Sequence, residues 1–340
     1  MSSQTTTSPP PSPWTIVAGA VGLLTVSISL LLTAFAWPST RSSLHDVPIA
    51  VAGPPPAVQQ VTTALDQRLP EAFEITTVGD TAAAERLIHD REVYGAIDLS
   101  SGAAQVITAS AASVAVAQAL NSVAGGLNQQ PGAVAVPARD LVPLPSDDPR
   151  GAGLSAGALP LVMGGLAAAV LLTRLVRGIV RRVAGALAFA VTGGLAVTAI
   201  LQFWLGSIDG SYWANSGAVA LTIAATSLSI LGLESLLGFA GFGLGAAIMM
   251  LVGNPLSGTA TAPQMLPGWS GSLGQLLPPG AGGQLLRSTA FFNGHGATHA
   301  TVVLISWLAF GVVLCVAGGL RTRRDSRQSL AAQPPVAVMA

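Results

Sequence analysis

The stretch that decides the fold is Trp213–Gly253, WANSGAVALTIAATSLSILGLESLLGFAGFGLGAAIMMLVG, which carries a single charged side chain, Glu234. One helix of about 40 residues would measure about 60 Å, twice the ~30 Å core of a bilayer. Two spans joined by a tight turn near Glu234 to Gly238 fit that length. Working outward, four more long apolar runs stand at Thr15–Trp37, Leu154–Thr173, Val183–Leu205 and Thr298–Leu320. The first would rise about 35 Å as a helix. Trp14 and Trp37 flank it, as aromatic side chains flank a span at the headgroup layers. A cleaved signal peptide would need a basic leader and a shorter core; residues 1–13 hold no charged side chain. The segment 14–37 therefore reads as an uncleaved signal anchor and residues 1–13 as a disordered cytoplasmic tail.

Composition agrees. Of 340 residues only 9% are charged, against about 25% in a soluble domain, and the mean hydropathy is +0.62. All 15 basic side chains are arginine. Without lysine there is neither a Walker A phosphate loop nor a Schiff-base nucleophile, so the chain is no self-contained P-loop ATPase. Cys315 is the single cysteine, which excludes an intrachain disulfide and a cysteine zinc site. A formal net charge of zero gives no sign of nucleic-acid binding. The arginine bias and the Ala, Gly and Pro richness point to a GC-rich bacterial genome.

Residues 38–150 hold 12 acidic side chains against 6 arginines. Their pattern alternates: strands at Val47–Ala52, Phe73–Val78, Val93–Leu99 and Gln105–Thr108, helices at Ala57–Leu69, Thr81–His89 and Ser113–Leu127. Asp80 is placed as an N-cap, and the last helix is too polar for a span. Such an order implies a small sheet with helices packed on it, in a domain over 38–153. Asp140–Gly151 leads back to the membrane, with Asp147, Asp148 and Arg150 read as a solvated corner. The fold class is thus an α-helical polytopic membrane protein of six spans with an inserted extracytoplasmic α/β domain. A five-span unit covers 154–320, with an outer-leaflet loop at 254–297, and a basic cytoplasmic tail covers 321–340. Arg174, Arg177, Arg181 and Arg182 after the second span, and Arg321, Arg323, Arg324 and Arg327 after the sixth, set the orientation. Cytoplasmic loops collect arginine, and each would cost about 2.5–3.5 kcal/mol at mid-bilayer. Both termini are then cytoplasmic and the acidic domain outside.

Chemistry-bearing residues are few. Glu234 is either a proton or substrate site, because intramembrane acids are expensive, or a turn residue at the cytoplasmic interface. Gln202, Thr226 and Ser229, with Thr192, Thr198, Thr222 and Ser227, either line a pathway or hydrogen-bond between helices. The glycines of 238–245 serve close packing or a broken helix. His295 and His299 have helical i, i+4 spacing, but Gly294 and Gly296 argue against a helix and no carboxylate completes a metal set. Neither a Ser–His–Asp set nor a carboxylate pair is present, so no enzyme, cofactor or metal site is expected. Residues 254–292 form an apolar, Gly- and Pro-broken stretch: Asn254-Pro255-Leu256-Ser257-Gly258, then Leu266-Pro267, then Leu277-Pro278. It reads as short interfacial helices in the outer leaflet, with Arg287 reaching headgroups by snorkelling.

One N-terminal anchor, an external α/β domain from Val47–Ala52 onward, the entry Asp140–Gly151 and the Ser257-Gly258…Leu266-Pro267…Leu277-Pro278 loop before the last span together resemble the membrane subunits of ABC-2-type exporters. The phage-infection-protein (YhgE/Pip-like) branch, with its actinobacterial members, is the nearest in pattern over residues 38–320. The resemblance implies a homodimeric or heterodimeric plasma-membrane permease, driven by a separate nucleotide-binding ATPase and moving lipids, drugs or polymers outward. It implies a coupling loop at Arg174, Arg177, Arg181 and Arg182 and an outer gate carrying Pro255, Ser257, Gly258, Pro267, Pro278 and Arg287. Sparse, uncharged polar residues point to apolar or amphipathic cargo. The alternative is a cell-surface binding or scaffold protein, phage-receptor-like or a secretion accessory, without transport.

Overall fold

The structure, a computed structural model, describes residues 12–128 and 136–331. The expected tails fall outside the described residues over 1–11 and 332–340. The fold is mostly helical (67%) with one small sheet. Among the described residues five helices are long and apolar enough to cross a membrane.

The first, α1 (Trp14–Thr40), has none of its apolar window covered by the rest of the chain. Its polar side chains look after themselves: Thr25, Ser27, Ser29 and Thr33 each donate to the carbonyl four residues back, at 2.8–2.9 Å. That arrangement keeps these four hydroxyls from facing lipid unpaired.

The lobe that follows runs β1 (Val47–Ala52), α2 (Pro55–Arg68), β2 (Phe73–Val78), α3 (Thr81–His89), β3 (Gly95–Asp98), β4 (Gln105–Thr108), α4 (Val114–Asn128) and β5 (Ala138–Asp140). The sheet order is β2-β1-β3-β4-β5, parallel except for the β3–β4 hairpin pair. Side chains alternate along β1. Val47, Ile49 and Val51 point to one face, under Val58 and Leu65 of α2 and Val116 and Leu120 of α4. Ala50 and Ala52 point to the other, under Ala84 and Ile88 of α3. Asp80 caps α3 by accepting from Ala83 N at 2.7 Å.

Each core layer of the lobe is closed by a residue from far along the chain. Ala262 and Met265 join the α2/α4 layer, and Phe292, 2% exposed, joins the α3 layer. The segment that supplies them contains a 3-10 turn (Pro263–Met265), α9 (Ser270–Gln275) and α10 (Pro278–Phe291). Ten residues of α10 are buried, so the loop expected to lie along the membrane surface is instead a packed core element, carrying Gly and Pro where backbones meet.

The remaining helices are α5 (Ala152–Leu175), α6 (Ile179–Ala199, extended by a π segment at Ile200–Trp204), α7 (Tyr212–Leu237), α8 (Phe239–Ala247, extended by a π segment at Ile248–Gly253) and α11 (Ala297–Ala331). Helix α7 is the hub. Its apolar window is 78% buried, against 22% for α5, α6 and α11, as befits a helix that is apolar all round. Small residues bring its neighbours to backbone contact: a Cβ on Gly311 of α11 would lie 2.4 Å from the Leu228 backbone, and one on Gly194 of α6 would lie 2.7 Å from the Ser216 carbonyl. Gly238 ends α7 at φ +64°, ψ −141°, a conformation open essentially to glycine. The chain then folds back so that Gly241 sits against the Leu233 carbonyl. The turn falls where the sequence places it, but the returning helix Phe239–Gly253 is shorter than a full span, so five helices reach span length where six were expected.

Asp148 corrects another expectation. It is 8% exposed and accepts from Ala152 N at 2.8 Å and Gly153 N at 2.7 Å. The unpaired amides at the start of α5 attract a carboxylate, and this acid is a helix cap in place of a solvated corner. Arg41, Gly151, Gly206–Gly210 and Phe292 gather at the lobe end of the bundle, whereas Arg174–Arg182, Gly238 and Arg321 lie at the other end of the same long helices.

Phe292→Ala should destabilise the protein by about 3–5 kcal/mol, the usual cost of emptying a buried phenylalanine site. Thermal unfolding in detergent, followed by tryptophan fluorescence, checks this, and an unchanged midpoint would mean that Phe292 does not close the lobe.

Candidate functional site

A crevice of about 340 Å³ opens where the lobe end of α1 meets the start of α5 and the 254–266 segment. Its apolar wall includes Phe35, Pro38, Leu159 and Leu266. Its polar wall is built from Ser42, Asn254, Ser257 and Thr259. Of these, Ser42 Oγ and Asn254 Oδ1 are buried atoms with no hydrogen-bond partner. Ser257 and Thr259 are each 5% exposed, and the Ser257 hydroxyl accepts from Thr259 Oγ1 at 2.9 Å and Thr259 N at 3.4 Å. The Ser257 hydroxyl proton is thereby left free to donate. Apolar walls with a few convergent hydroxyl and amide groups are what a small-molecule site requires. The chemistry on offer is hydrogen bonding to a neutral polar group attached to an apolar body.

The geometry sorts the residues singled out by sequence. Pro255, Ser257 and Gly258 line this crevice. Pro267 lies outside its wall and accepts from Ser270 Oγ at 2.7 Å, at the start of α9. Pro278 is buried in the first turn of α10, where a missing N–H costs nothing. Arg287 does not snorkel: it is 6% exposed, and Nη2 donates to the Thr259 carbonyl at 2.9 Å from behind the crevice wall. The reason is the burial of α10, which leaves its side chains no route to a surface.

The residues expected along a pathway are not gathered in one place. Gln202, in the π segment of α6, donates to Gly210 O at 3.0 Å and accepts from Asn215 Nδ2 at 3.3 Å near the lobe end. Thr226 packs against Gly165 of α5. Ser229 donates to the Trp307 carbonyl of α11 at 3.1 Å. Glu234 lies at the opposite end, paired with Arg182 at 3.4 Å. Arg182 also donates to Val176 O (2.9 Å) and Thr173 O (3.0 Å), the open carbonyls at the end of α5. Glu234 and Arg174 border a second hollow of about 360 Å³ with Phe239 and Phe242. Arg174, Arg177 and Arg181 are exposed there, while Arg182 is not.

Arg91 is the residue that sequence reading passed over. It sits at φ +62° in the turn after α3 and reaches into α10. Nη1 donates to Gln284 O at 3.1 Å and to Ser288 Oγ, Nη2 donates to Gln284 Oε1 at 2.6 Å, and the guanidinium stacks 5.2 Å over the Phe292 ring. Beside it, Tyr94 Oη donates to Gln264 Oε1 at 2.9 Å, and His295 pairs with Asp90 at 2.8 Å. Burial pushes the Tyr94 phenol up, against the pull of Arg91 and Arg287. No local signal marks Arg91, because His89-Asp90-Arg91-Glu92 reads as a solvated turn and its partners lie almost 200 residues away.

No family model, curated protein or solved structure matches the chain. The geometry alone carries the functional argument.

Glu234→Gln should destabilise the protein by about 1–3 kcal/mol, since it takes a charged partner from a largely buried arginine. Thermal unfolding of Glu234→Gln, of Arg182→Met and of the double variant measures the pair; a double loss equal to the sum of the two single losses would show that the ion pair carries nothing.

Proposed function

We propose that this chain is a permease subunit of an exporter for apolar or amphipathic cargo, working with a separate nucleotide-binding ATPase and a second membrane subunit in a bacterial plasma membrane. The crevice between α1, α5 and the 254–266 segment carries this reading: it combines an apolar wall with unpaired hydroxyl and amide groups where a lipid-like molecule would rest. On this reading the lobe faces outward and both termini are cytoplasmic, which agrees with the position of the arginines at the far end of the bundle. Arg174, Arg177 and Arg181 are then the surface offered to the ATPase. The uncovered apolar length of α1 supports contact with lipid or with the second subunit.

The test uses cells expressing the intact chain and an amphipathic fluorescent dye as probe. Deletion should raise dye retention several-fold. Ala158→Trp, which puts an indole into the crevice, should raise it similarly while leaving the protein folded, and mild-detergent purification should bring down an ATPase. Unchanged retention in both strains together with an ATPase-free complex would contradict the proposal. A second reading, a surface-binding or scaffold protein, draws support from the filled centre of the bundle, where Thr222, Ser227, Ser229 and Ser235 of α7 each donate to a backbone carbonyl. It expects that same null result.

A further inference from the structure

Two arginines from opposite sides of the junction, Arg287 buried and Arg91 half-buried and held by Gln284 and Ser288, approach the same turn of α10 without an acid. Arg287 comes from α10 and Arg91 from the lobe, and Tyr94 stands near both. A buried guanidinium is normally paired, because an uncompensated charge in a dry site is costly. Of the five N–H groups of Arg287, one on Nη2 donates to the Thr259 carbonyl, its single hydrogen bond among the described residues. Its Nε is buried with none, and so is the Nε of Arg91. Among the described residues no ion pair reaches either guanidinium. The acids beside Arg91 are engaged elsewhere: Asp90 holds His295, and Glu92 is exposed. Burial lowers both guanidiniums, and burial with the neighbouring charge of Arg91 takes Arg287 to about 10, so Arg287 stays cationic at neutral pH.

We infer that Arg287 and Arg91 form the floor of an anion site at the junction of lobe and bundle, built for a phosphate-type group and flanked by the Tyr94 and Ser288 hydroxyls. Two adjacent guanidiniums suit phosphate because its oxygens accept several charge-assisted hydrogen bonds at once. A phosphate offers the charge that the chain itself withholds. The anion is either free phosphate or the headgroup of an anionic lipid; Thr259, held by Arg287, also lines the crevice, which gives a lipid headgroup a way in. The site stands whether or not the chain moves cargo.

The experiment uses the full chain, purified in a neutral maltoside detergent and freed of phosphate. Thermal unfolding is followed with sodium phosphate against sodium chloride at equal ionic strength, and with short-chain phosphatidylglycerol against an uncharged diacylglycerol. The wild type should show a saturable rise of several degrees with at least one phosphate-bearing probe. A response to inorganic phosphate assigns the free anion; a response to the lipid alone assigns the headgroup. Arg287→Gln should weaken the apparent affinity at least tenfold. Should that variant fail to fold, Arg91→Gln, at the lobe side of the same site, is read in the same way. A wild type that responds to neither probe beyond its control, or a folded variant with the full response, overturns the inference.

Discussion

The lobe cannot close its own core. Its sheet is covered by α2 and α4 on one face and α3 on the other, yet each layer keeps a gap that residues of the 254–296 segment fill: Ala262 and Met265 on one side, Phe292 on the other. Burial of apolar side chains is the dominant favourable term in folding, so the segment and the lobe gain stability only together. This interlock explains why a Gly- and Pro-rich stretch is ordered at all. It also explains why α10 is buried, why Arg287 has no route to a surface, and why Arg91 and Tyr94 of the lobe can reach Gln264, Gln284 and Ser288. The crevice follows from the same constraint, because the 254–266 turn that forms one of its walls is held in place by the lobe behind it.

A different economy holds the helices together. Lipid gives apolar surfaces little reason to prefer each other, so close backbone approach and interhelical hydrogen bonds must serve. Helix α7 meets both needs. Glycines of α5, α6 and α11 face it, and Ser229 and Ser235 donate to the Trp307 and Leu314 carbonyls of α11 at 3.1 Å. Charge is kept to the ends of the bundle, where Asp148 caps α5 at one end and the Arg182–Glu234 pair ties α5, α6 and α7 at the other.

What the sequence made legible was local. The strands Val47–Ala52, Phe73–Val78 and Gln105–Thr108 and the helix Thr81–His89 have the expected bounds, because side-chain period, caps and Gly-Pro breaks act over a few residues. The turn at Gly238 was readable for the same reason. Long-range placement was not. Strand β5 pairs with β4 across about thirty residues and carries no alternation of its own, since all three of its residues are exposed. Asp148 looked solvated because nothing in a Ser-Asp-Asp-Pro run announces which acid will meet the start of a helix. Of the candidate site, Pro255, Ser257 and Gly258 were legible from their broken backbone pattern. Ser42, Arg91 and the true surroundings of Arg287 were not, because tertiary contact alone defines them.

The account rests on a bilayer separating the acidic lobe from the arginine end of the helices. Its most direct test places single cysteines in a Cys315→Ala background, at exposed Ser101 in the lobe and at exposed Arg177 between α5 and α6, and treats intact cells with a membrane-impermeant maleimide. The account expects Ser101→Cys to label in intact cells and Arg177→Cys to label only after permeabilisation. Labelling of both in intact cells, or the reverse pattern, would contradict it.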